Sequence, residues 1–147
     1  MTTSDIALLD ANILVYAADE TSTYNQATKL LREKGLKGEI PLCVCPQVLS
    51  EFFSTVTNPK RVNKPRTQKE ALFEMEKYFY SRNILKIYPG TEIMERILGL
   101  LKKYKVSQQE IFDLKLVATM LSNNVSRIYT YNQADFAQFE EIEVLNP

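Results

Sequence analysis

The stretch Ile6-Ala7-Leu8-Leu9-Asp10-Ala11-Asn12 places a carboxylate directly after an uninterrupted apolar run. Such a run is typical of a strand in a parallel sheet that is covered on both faces. Ligands of open α/β sheets bind at the carboxyl ends of the strands, so the sequence predicts that Asp10 lies at a functional site. The alternative is that Asp10 is only the N-cap of a short helix over residues 12–18.

The rest of the chain predicts strands that alternate with helices. Strands are expected over residues 42–45, 84–88, 127–131 and 142–145, and helices over residues 23–35, 47–57, 67–81, 91–105 and 110–123. Three pairs have the spacing of a capping box: Thr23 with Gln26, Thr67 with Glu70, and Ser107 with Glu110. The alternation predicts an α/β fold whose central parallel sheet of about five strands is flanked by helices on both faces.

Length and composition favour one domain that spans residues 1–147, since the chain is 45% hydrophobic and has no long linker. Its 18 basic residues balance 18 acidic ones, so any contact with a polyanion must be local. There is no histidine, which excludes Ser-His-Asp and Cys-His catalysis. The N-terminus has no basic signal region and no apolar run approaches the roughly 18 residues of a membrane span, so we expect a cytoplasmic protein without membrane contact.

The two cysteines are expected to be core thiols. Cys43 and Cys45 are two apart in a predicted strand, a spacing at which the two side chains are poorly placed to form a disulfide. Without histidine or further cysteine, a zinc site of the Cys/His type is excluded.

Asp113 is the acid whose position is hardest to explain structurally. Its helical neighbours Leu116, Val117 and Met120 form an apolar stripe that should point inward, so the charge on the same face needs a partner. One alternative is an interaction with the helix dipole, but a helix capped by Ser107 would place Asp113 beyond the first turn. The other is a buried ion pair with a lysine.

Two further acids are ambiguous when each is considered alone. Glu51 fits the solvated polar face of the helix over residues 47–57. Asp135 follows Thr130-Tyr131-Asn132 and fits an acid near a helix N-terminus. Their significance comes from the joint pattern, because together with Asp10 and Asp113 they form a set of acids on separate predicted elements that could converge.

Together these motifs resemble the PIN-domain family of metal-dependent ribonucleases and, in size and spacing, the VapC-type toxins of bacterial and archaeal toxin–antitoxin pairs. The resemblance spans the chain from Leu8 to Pro147. It implies an endoribonuclease that hydrolyses RNA with a carboxylate-bound Mg²⁺ or Mn²⁺ ion. The implied catalytic and metal-binding acids are Asp10, Glu51, Asp113 and Asp135, supported by Asn12, Thr130 and Asn132. The family often has an acid where this chain has Asn132, and we expect Asp135 to supply it.

The resemblance also implies a cognate antitoxin and a homodimer. The helix over residues 67–81 has more apolar surface than one packed face uses: Leu72, Phe73, Met75, Tyr78, Phe79 and Tyr80. The alternative is that its own domain buries it. Before this helix lies a basic segment with no acid, in which we expect phosphate contacts, unless the loop is merely solvated: Lys60, Arg61, Lys64, Arg66 and Lys69.

Two other functions were weighed. A non-catalytic PIN-like module that binds RNA or protein is favoured only by Asn132 at the variable acidic position. A phosphoacceptor signalling domain of similar architecture is disfavoured because Asp10 lacks the paired acids that such a site requires.

Overall fold

The computed structural model describes residues 5–147, which form a five-stranded parallel sheet and seven helices. The strands are β1 (Ala7–Leu9), β2 (Leu42–Val44), β3 (Ile84–Lys86), β4 (Arg127–Tyr129) and β5 (Glu143–Leu145). The helices are α1 (Ala11–Ala18), α2 (Asn25–Leu36), α3 (Pro46–Val56), α4 (Gln68–Phe79), α5 (Ile93–Lys103), α6 (Glu110–Ser122) and α7 (Gln133–Phe136). The predicted α/β class and the five parallel strands are confirmed.

The strand order β3-β2-β1-β4-β5 makes β1 the centre of the sheet. Leu8 lies opposite Cys43 on one side and Ile128 on the other. The chain builds outward from β1 to β3 and then returns to β4 on the opposite side. This reversal opens a crevice between the carboxyl ends of β1 and its neighbours, which is where open α/β sheets bind ligands.

The reversal also distributes the helices over the sheet. Helices α1 to α4 pack on one another, whereas α6 packs against α5 and α7. Because crossovers between parallel strands are right-handed, the first group covers one face and the second group covers the other. Within residues 5–147, no helix is long and apolar enough to cross a lipid bilayer.

Strands β1 and β2 are completely buried, which accounts for their apolar sequences. Cys43 and Cys45 lie in this core as free thiols, as predicted. Burial raises the pKa of both thiols, so they remain protonated and act as small apolar side chains.

One of the three predicted capping boxes is confirmed. At the start of α4, the Thr67 hydroxyl accepts from the Glu70 amide at 3.1 Å, and a Glu70 carboxylate oxygen accepts from the Thr67 amide at 2.9 Å. The box at Thr23 was wrong, because α2 begins at Asn25 and no side chain caps it. Asn25 instead donates its side-chain amide to the Tyr16 carbonyl at 2.8 Å, so a contact with α1 determines where α2 starts.

The prediction that Ser107 caps α6 was also wrong. Glu110 does accept from the Ser107 amide at 3.2 Å, but the backbone turns at Gln108, whose φ is 41°, and the helix begins only at Glu110. Asp113 therefore lies in the first turn of α6. The Asp113 carboxylate can therefore interact with the helix dipole, an interaction that the predicted cap at Ser107 excluded.

We expect Thr67→Ala to lower the free energy of unfolding by about 1 kcal/mol, since an amide at the start of α4 loses its acceptor. The matched control is Thr23→Ala. Thr23 has the same capping-box spacing in the sequence, but in the structure it does not cap the start of α2. Urea unfolding of both variants measures the difference. Equal losses in the two variants would contradict the assignment of the cap.

Candidate metal centre

A cleft of about 640 Å³ opens at the carboxyl edge of the sheet, beside the end of β1. Three of the four predicted acids line it, and so do three other predicted site residues. The lining includes Asp10, Asn12, Glu51, Arg61, Asp113 and Asn132. Segments separated by up to about 120 residues in the sequence thus converge on one concave surface, as the sequence predicted for the ends of parallel strands.

Asp10 is fixed by hydrogen bonds at both carboxylate oxygens. Its Oδ1 accepts from the Ala11 amide at 2.8 Å, which also makes it the N-cap of α1. Its Oδ2 accepts from the Thr130 hydroxyl at 2.8 Å and from the Asn12 side-chain amide at 3.3 Å. Asp10 can therefore be both the N-cap of α1 and a residue of a functional site, because one carboxylate oxygen caps the helix while the other faces the segment after β4.

Burial is the main influence on the charge of Asp10, which is only 6% exposed. Desolvation raises the pKa of its carboxyl group, and the negative charge of Asp135 raises it further. The hydrogen bonds from Thr130, Ala11 and Asn12 act in the opposite direction, because they stabilise the charged form. No ion pair within residues 5–147 neutralises Asp10.

Glu51 stands on α3 at the opposite wall of the cleft. Gln47, one turn earlier, donates its side-chain amide to Glu51 Oε1 at 3.1 Å and to the Phe112 carbonyl at 2.9 Å. Surrounding protein atoms desolvate the Glu51 carboxyl group and raise its pKa although the side chain is exposed, and the charge of Asp10 adds to this effect. The hydrogen bond from Gln47 partly offsets the shift.

Asp113 is half-buried in the first turn of α6. Desolvation raises its pKa from 3.8 to about 7, assisted first by Asp135 and then by Asp10, Glu51 and Glu110. Its neighbours Leu116 and Val117 are buried as predicted. The lysine ion pair considered as an alternative does not occur within the described part of the chain. Asp113 is therefore a carboxylate whose charge is opposed by other carboxylates.

The fourth motif follows β4. Thr130 is fully buried and accepts from the Asn132 amide at 3.0 Å in addition to its contact with Asp10. Asn132 lines the cleft, whereas Asp135 is exposed on α7 outside the lining. Its charge nevertheless raises the pKa of Asp10 and Asp113. Asp135 thus acts on the cleft electrostatically, and Asn132 contributes to its wall.

The acids of the cleft have the donor chemistry of a site for a hard metal ion. Within residues 5–147, no three Cys, Asp or Glu side chains are close enough together to hold an ion directly. The acids around the cleft are nevertheless oxygen donors, and neighbouring carboxylates raise the pKa of Asp10, Glu51 and Asp113, so a cation would relieve this repulsion. Mg²⁺ commonly takes one or two carboxylates and keeps several of its waters, and such an ion does not need three converging acids. The chemistry of the donors therefore fits a hard divalent cation.

The structure divides the basic loop into residues with different surroundings. Arg61 lines the cleft beside the acids. Arg66 instead donates to the Ala18 carbonyl at the end of α1 and lies 3.9 Å from Glu70. Lys64 lines a separate cavity together with Arg66. Lys60 is exposed outside both.

Two residues of the site were not singled out from the sequence. Gln47 bridges Glu51 to α6, and Tyr16 lines the cleft from α1. The position of Gln47 four residues before Glu51 is a signal that sequence analysis could have used, since such residues are neighbours on a helix. The bridge to the Phe112 carbonyl has no signature in the sequence.

The chain is similar to known proteins in sequence and in fold. A family model described as PIN domain matches residues 7–142. Ribonuclease VapC24 of Mycobacterium tuberculosis is 26% identical over 140 residues, which cover 95% of this chain and 94% of that protein.

Solved structures provide a comparison of the fold. VapC20 of Mycobacterium tuberculosis, described as a Sarcin-Ricin loop cleaving toxin, has a TM-score of 0.66 at 14% identity and covers 93% of this chain and 98% of its own. VapBC2 of Rickettsia felis bound to a promoter DNA fragment has a TM-score of 0.65 at 16% identity, with coverage of 97% and 98%. At these identities the likeness concerns the fold.

We expect the raised pKa of Asp113 to appear as a pH dependence of stability. Between the ordinary value of 3.8 and about 7 the native state binds more protons than the unfolded state, so this group lowers stability as pH rises. Asp113→Asn, measured in EDTA, should therefore gain stability relative to the wild type across that interval. Glu76→Gln on α4, outside the cleft, is the control and should not show this gain.

Thermal unfolding of the wild type and of Asp113→Asn should be measured both in EDTA and with Mn²⁺. An ion that binds only the folded protein stabilises it by mass action. Wild type should gain more than Asp113→Asn. A large loss of stability in Asp113→Asn near neutral pH in EDTA would instead indicate that the carboxylate has a stabilising partner.

Proposed function

We propose a function from the premise that this chain belongs to the PIN domain family. It is a divalent-metal-dependent endoribonuclease and the toxin of a toxin–antitoxin pair. The observation that carries the proposal is the acidic cleft at the reversal of the strand order, which Asp10, Glu51 and Asp113 line without a neutralising ion pair from any part of residues 5–147. Similarity to Ribonuclease VapC24 over most of both chains supports RNA as the substrate.

The proposed metal ligands are Asp10, Glu51, Asp113 and Asp135, and the ion is Mg²⁺ or Mn²⁺. When bound, such an ion lowers the pKa of a coordinated water and stabilises the charge that develops on the phosphate. A carboxylate has about four lone-pair sites, and three donors already occupy sites on Asp10. The remaining site is on Oδ1, which is where Asp10 would contact the ion or one of its waters.

The supporting residues control how these acids are presented. Asn12 and Thr130 hold Asp10 Oδ2 toward β4, and Gln47 restricts Glu51 to the cleft wall. Near neutral pH both the protonated and the charged form of the Asp113 carboxyl group are populated, because its pKa is about 7 without metal. Binding of the cation would displace this proton, so metal affinity should increase as pH rises through that value.

Arg61 is the proposed first phosphate contact of the RNA, because it is the cation of the basic loop that lines the cleft. Lys60 and Lys64 would extend the contact along the backbone of a longer RNA. Arg66, also predicted to bind substrate, is already engaged with Ala18 and Glu70. We assign it to fixing the loop so that Arg61 is presented correctly.

The proposed partners are a cognate antitoxin and a second copy of the chain. The Rickettsia felis relative is a VapBC2 complex, which supports the toxin–antitoxin assignment. Helix α4 and the residue after it leave four large apolar side chains exposed: Leu72, Phe73, Phe79 and Tyr80. This surface supports a homodimer.

An RNA substrate and two reduced thiols are consistent with a single-domain protein, residues 1–147, that acts in the cytoplasm.

The alternative is a non-catalytic PIN-like module that binds RNA or protein. Two observations favour it: Asn132, not an acid, lines the cleft, and no three acids of the described residues converge. A cleavage assay separates the two functions, because only the enzyme predicts a metal-dependent cleavage product.

The purified protein should cleave RNA with Mg²⁺ or Mn²⁺, and EDTA should stop the reaction. Asp10→Asn and Asp113→Asn should each reduce kcat/KM about 100-fold or more, since each removes a carboxylate that positions the ion. Glu76→Gln serves again as the control. Undiminished cleavage in EDTA, or in either cleft variant, would rule out this mechanism.

Charge reversal in the basic loop should distinguish Arg61 from its neighbours. Arg61→Glu should weaken RNA binding and reduce the slope of log affinity against log salt by about one, as expected for a lost phosphate contact. Lys69→Glu makes the same change in net charge on exposed α4 surface and should leave the slope nearly unchanged. Equal effects of both variants would assign the loop a general electrostatic role only.

A further inference from the structure

Three tyrosines, two from the α1–α2 region and one from the segment after β4, form one aromatic cluster beside the cleft. The ring centroids of Tyr16 and Tyr24 are 5.1 Å apart, those of Tyr16 and Tyr131 5.5 Å, and those of Tyr24 and Tyr131 4.2 Å. The Tyr24 and Tyr131 rings are inclined by 31°, whereas Tyr16 meets Tyr131 nearly edge-on at 67°. We call Tyr16, Tyr24 and Tyr131 the tyrosine cluster.

The tyrosine cluster is attached to the same hydrogen-bond network that holds Asp10. Tyr131 donates its amide to Asn12 Oδ1 at 3.2 Å, and the Asn12 side-chain amide donates to Asp10 Oδ2 at 3.3 Å. Tyr16 itself lines the cleft from α1. The tyrosine cluster therefore adjoins the cleft, into which the proposed function places a phosphate of the RNA.

The tyrosine cluster is also held in place before any ligand binds. The Asn25 side-chain amide donates to the carbonyl of Tyr16 at 2.8 Å and of Ala17 at 3.3 Å, which joins the start of α2 to the end of α1. Tyr24 immediately precedes α2 and is positioned by this contact. A prearranged ring loses little conformational freedom when it binds a ligand.

The exposure of the cluster distinguishes it from ordinary core packing. Tyr24 is 44% exposed although it packs against two other rings. Among the hydrogen bonds of residues 5–147, none involves the hydroxyl group of Tyr16, Tyr24 or Tyr131. A tyrosine packed for stability alone usually buries its ring and pairs its hydroxyl group. Here a large part of one ring remains available to another flat group.

We propose that the tyrosine cluster is a stacking platform that binds an unstacked nucleobase of single-stranded RNA, next to the nucleotide whose phosphate enters the cleft. The proposal rests on the function proposed above and specifies its substrate as single-stranded. A base inside a duplex has both faces covered by its neighbours, so only a loop or an unpaired strand can present one to Tyr24. Stacking on tyrosine discriminates weakly among bases, so the platform selects unpaired structure more than sequence.

The test measures binding of a short single-stranded RNA that carries a fluorescent 2-aminopurine base, with every variant made in the Asp113→Asn background so that the probe is not cleaved. Tyr24→Ala should bind about 5- to 100-fold more weakly, and Tyr24→Phe should bind like its parent, because a phenyl ring still stacks. The control is Tyr88→Ala, which removes a tyrosine that is 50% exposed after β3, away from the residues that line the cleft, and should leave affinity unchanged.

A second measurement replaces the RNA and keeps the protein folded. An oligonucleotide with abasic sites should bind the parent protein more weakly than the intact oligonucleotide does, because it offers no base to stack on Tyr24. The Tyr24→Ala variant should bind both oligonucleotides equally, because it has lost the ring on which a base would stack. Equal affinity of Tyr24→Ala and its parent for the intact RNA, or an equal loss in Tyr24→Phe, would overturn the proposal.

Steady-state kinetics in the otherwise wild-type enzyme separate this proposal from the proposed function. Tyr24→Ala should raise KM for single-stranded RNA while kcat stays close to that of the wild type, because the ring positions substrate without touching the reacting atoms. If the wild type cleaves RNA and Tyr24→Ala has the same KM, the platform is refuted and the ribonuclease assignment stands. If the wild type neither binds nor cleaves RNA, both are refuted.

Discussion

The buried carboxylate of Asp10 is the constraint on which the rest of the site depends. It is 6% exposed at the end of the central strand, where an uncompensated charge would be costly. Its compensation comes from three directions: the Ala11 amide of α1, the Asn12 side chain and the Thr130 hydroxyl after β4. The strand, the following helix and the adjacent strand must keep their relative positions for these hydrogen bonds to form. The same bonds point Asp10 into the crevice created by the reversal of the strand order.

The other acids of the cleft are less well stabilised in their charged form than Asp10. Asp113 and Glu51 have raised pKa values because of desolvation and of other acids, so the metal-free protein contains repulsion that a different sequence could remove. Proteins tolerate such local instability mainly at functional sites, where the stability lost locally is offset by the rest of the fold. Here the offset comes from the buried strands and from the apolar stripe behind Asp113. A hard divalent cation is the partner whose chemistry would turn this repulsion into attraction.

The sequence was sufficient where a signal is local and strongly constrained by burial. The apolar run before Asp10 predicted the central strand, and the alternation of strands and helices predicted the parallel sheet. Helix starts were less predictable, because a capping box competes with tertiary contacts. Thr67 and Glu70 form theirs, whereas the Asn25 contact with α1 sets the start of α2 and leaves Thr23 without a capping role. The start of α6 at residue 110 was predicted correctly, but assigning its cap to Ser107 instead of Gln109 misplaced Asp113 relative to the helix dipole.

Contacts between distant segments explain why the remainder of the site could not be predicted. Asn12 and Thr130 are 118 residues apart, and no pattern in either segment reveals that their side chains meet. The basic loop illustrates the same limit, since its cations look equivalent in the sequence. In the structure, Arg66 is bound to the end of α1 and to α4, while Arg61 lines the cleft that the acids also line. A chain with zero net charge can attract an RNA backbone only through such placement, so an arginine that is engaged within the protein and an arginine that lines the cleft are not equivalent for binding a phosphate.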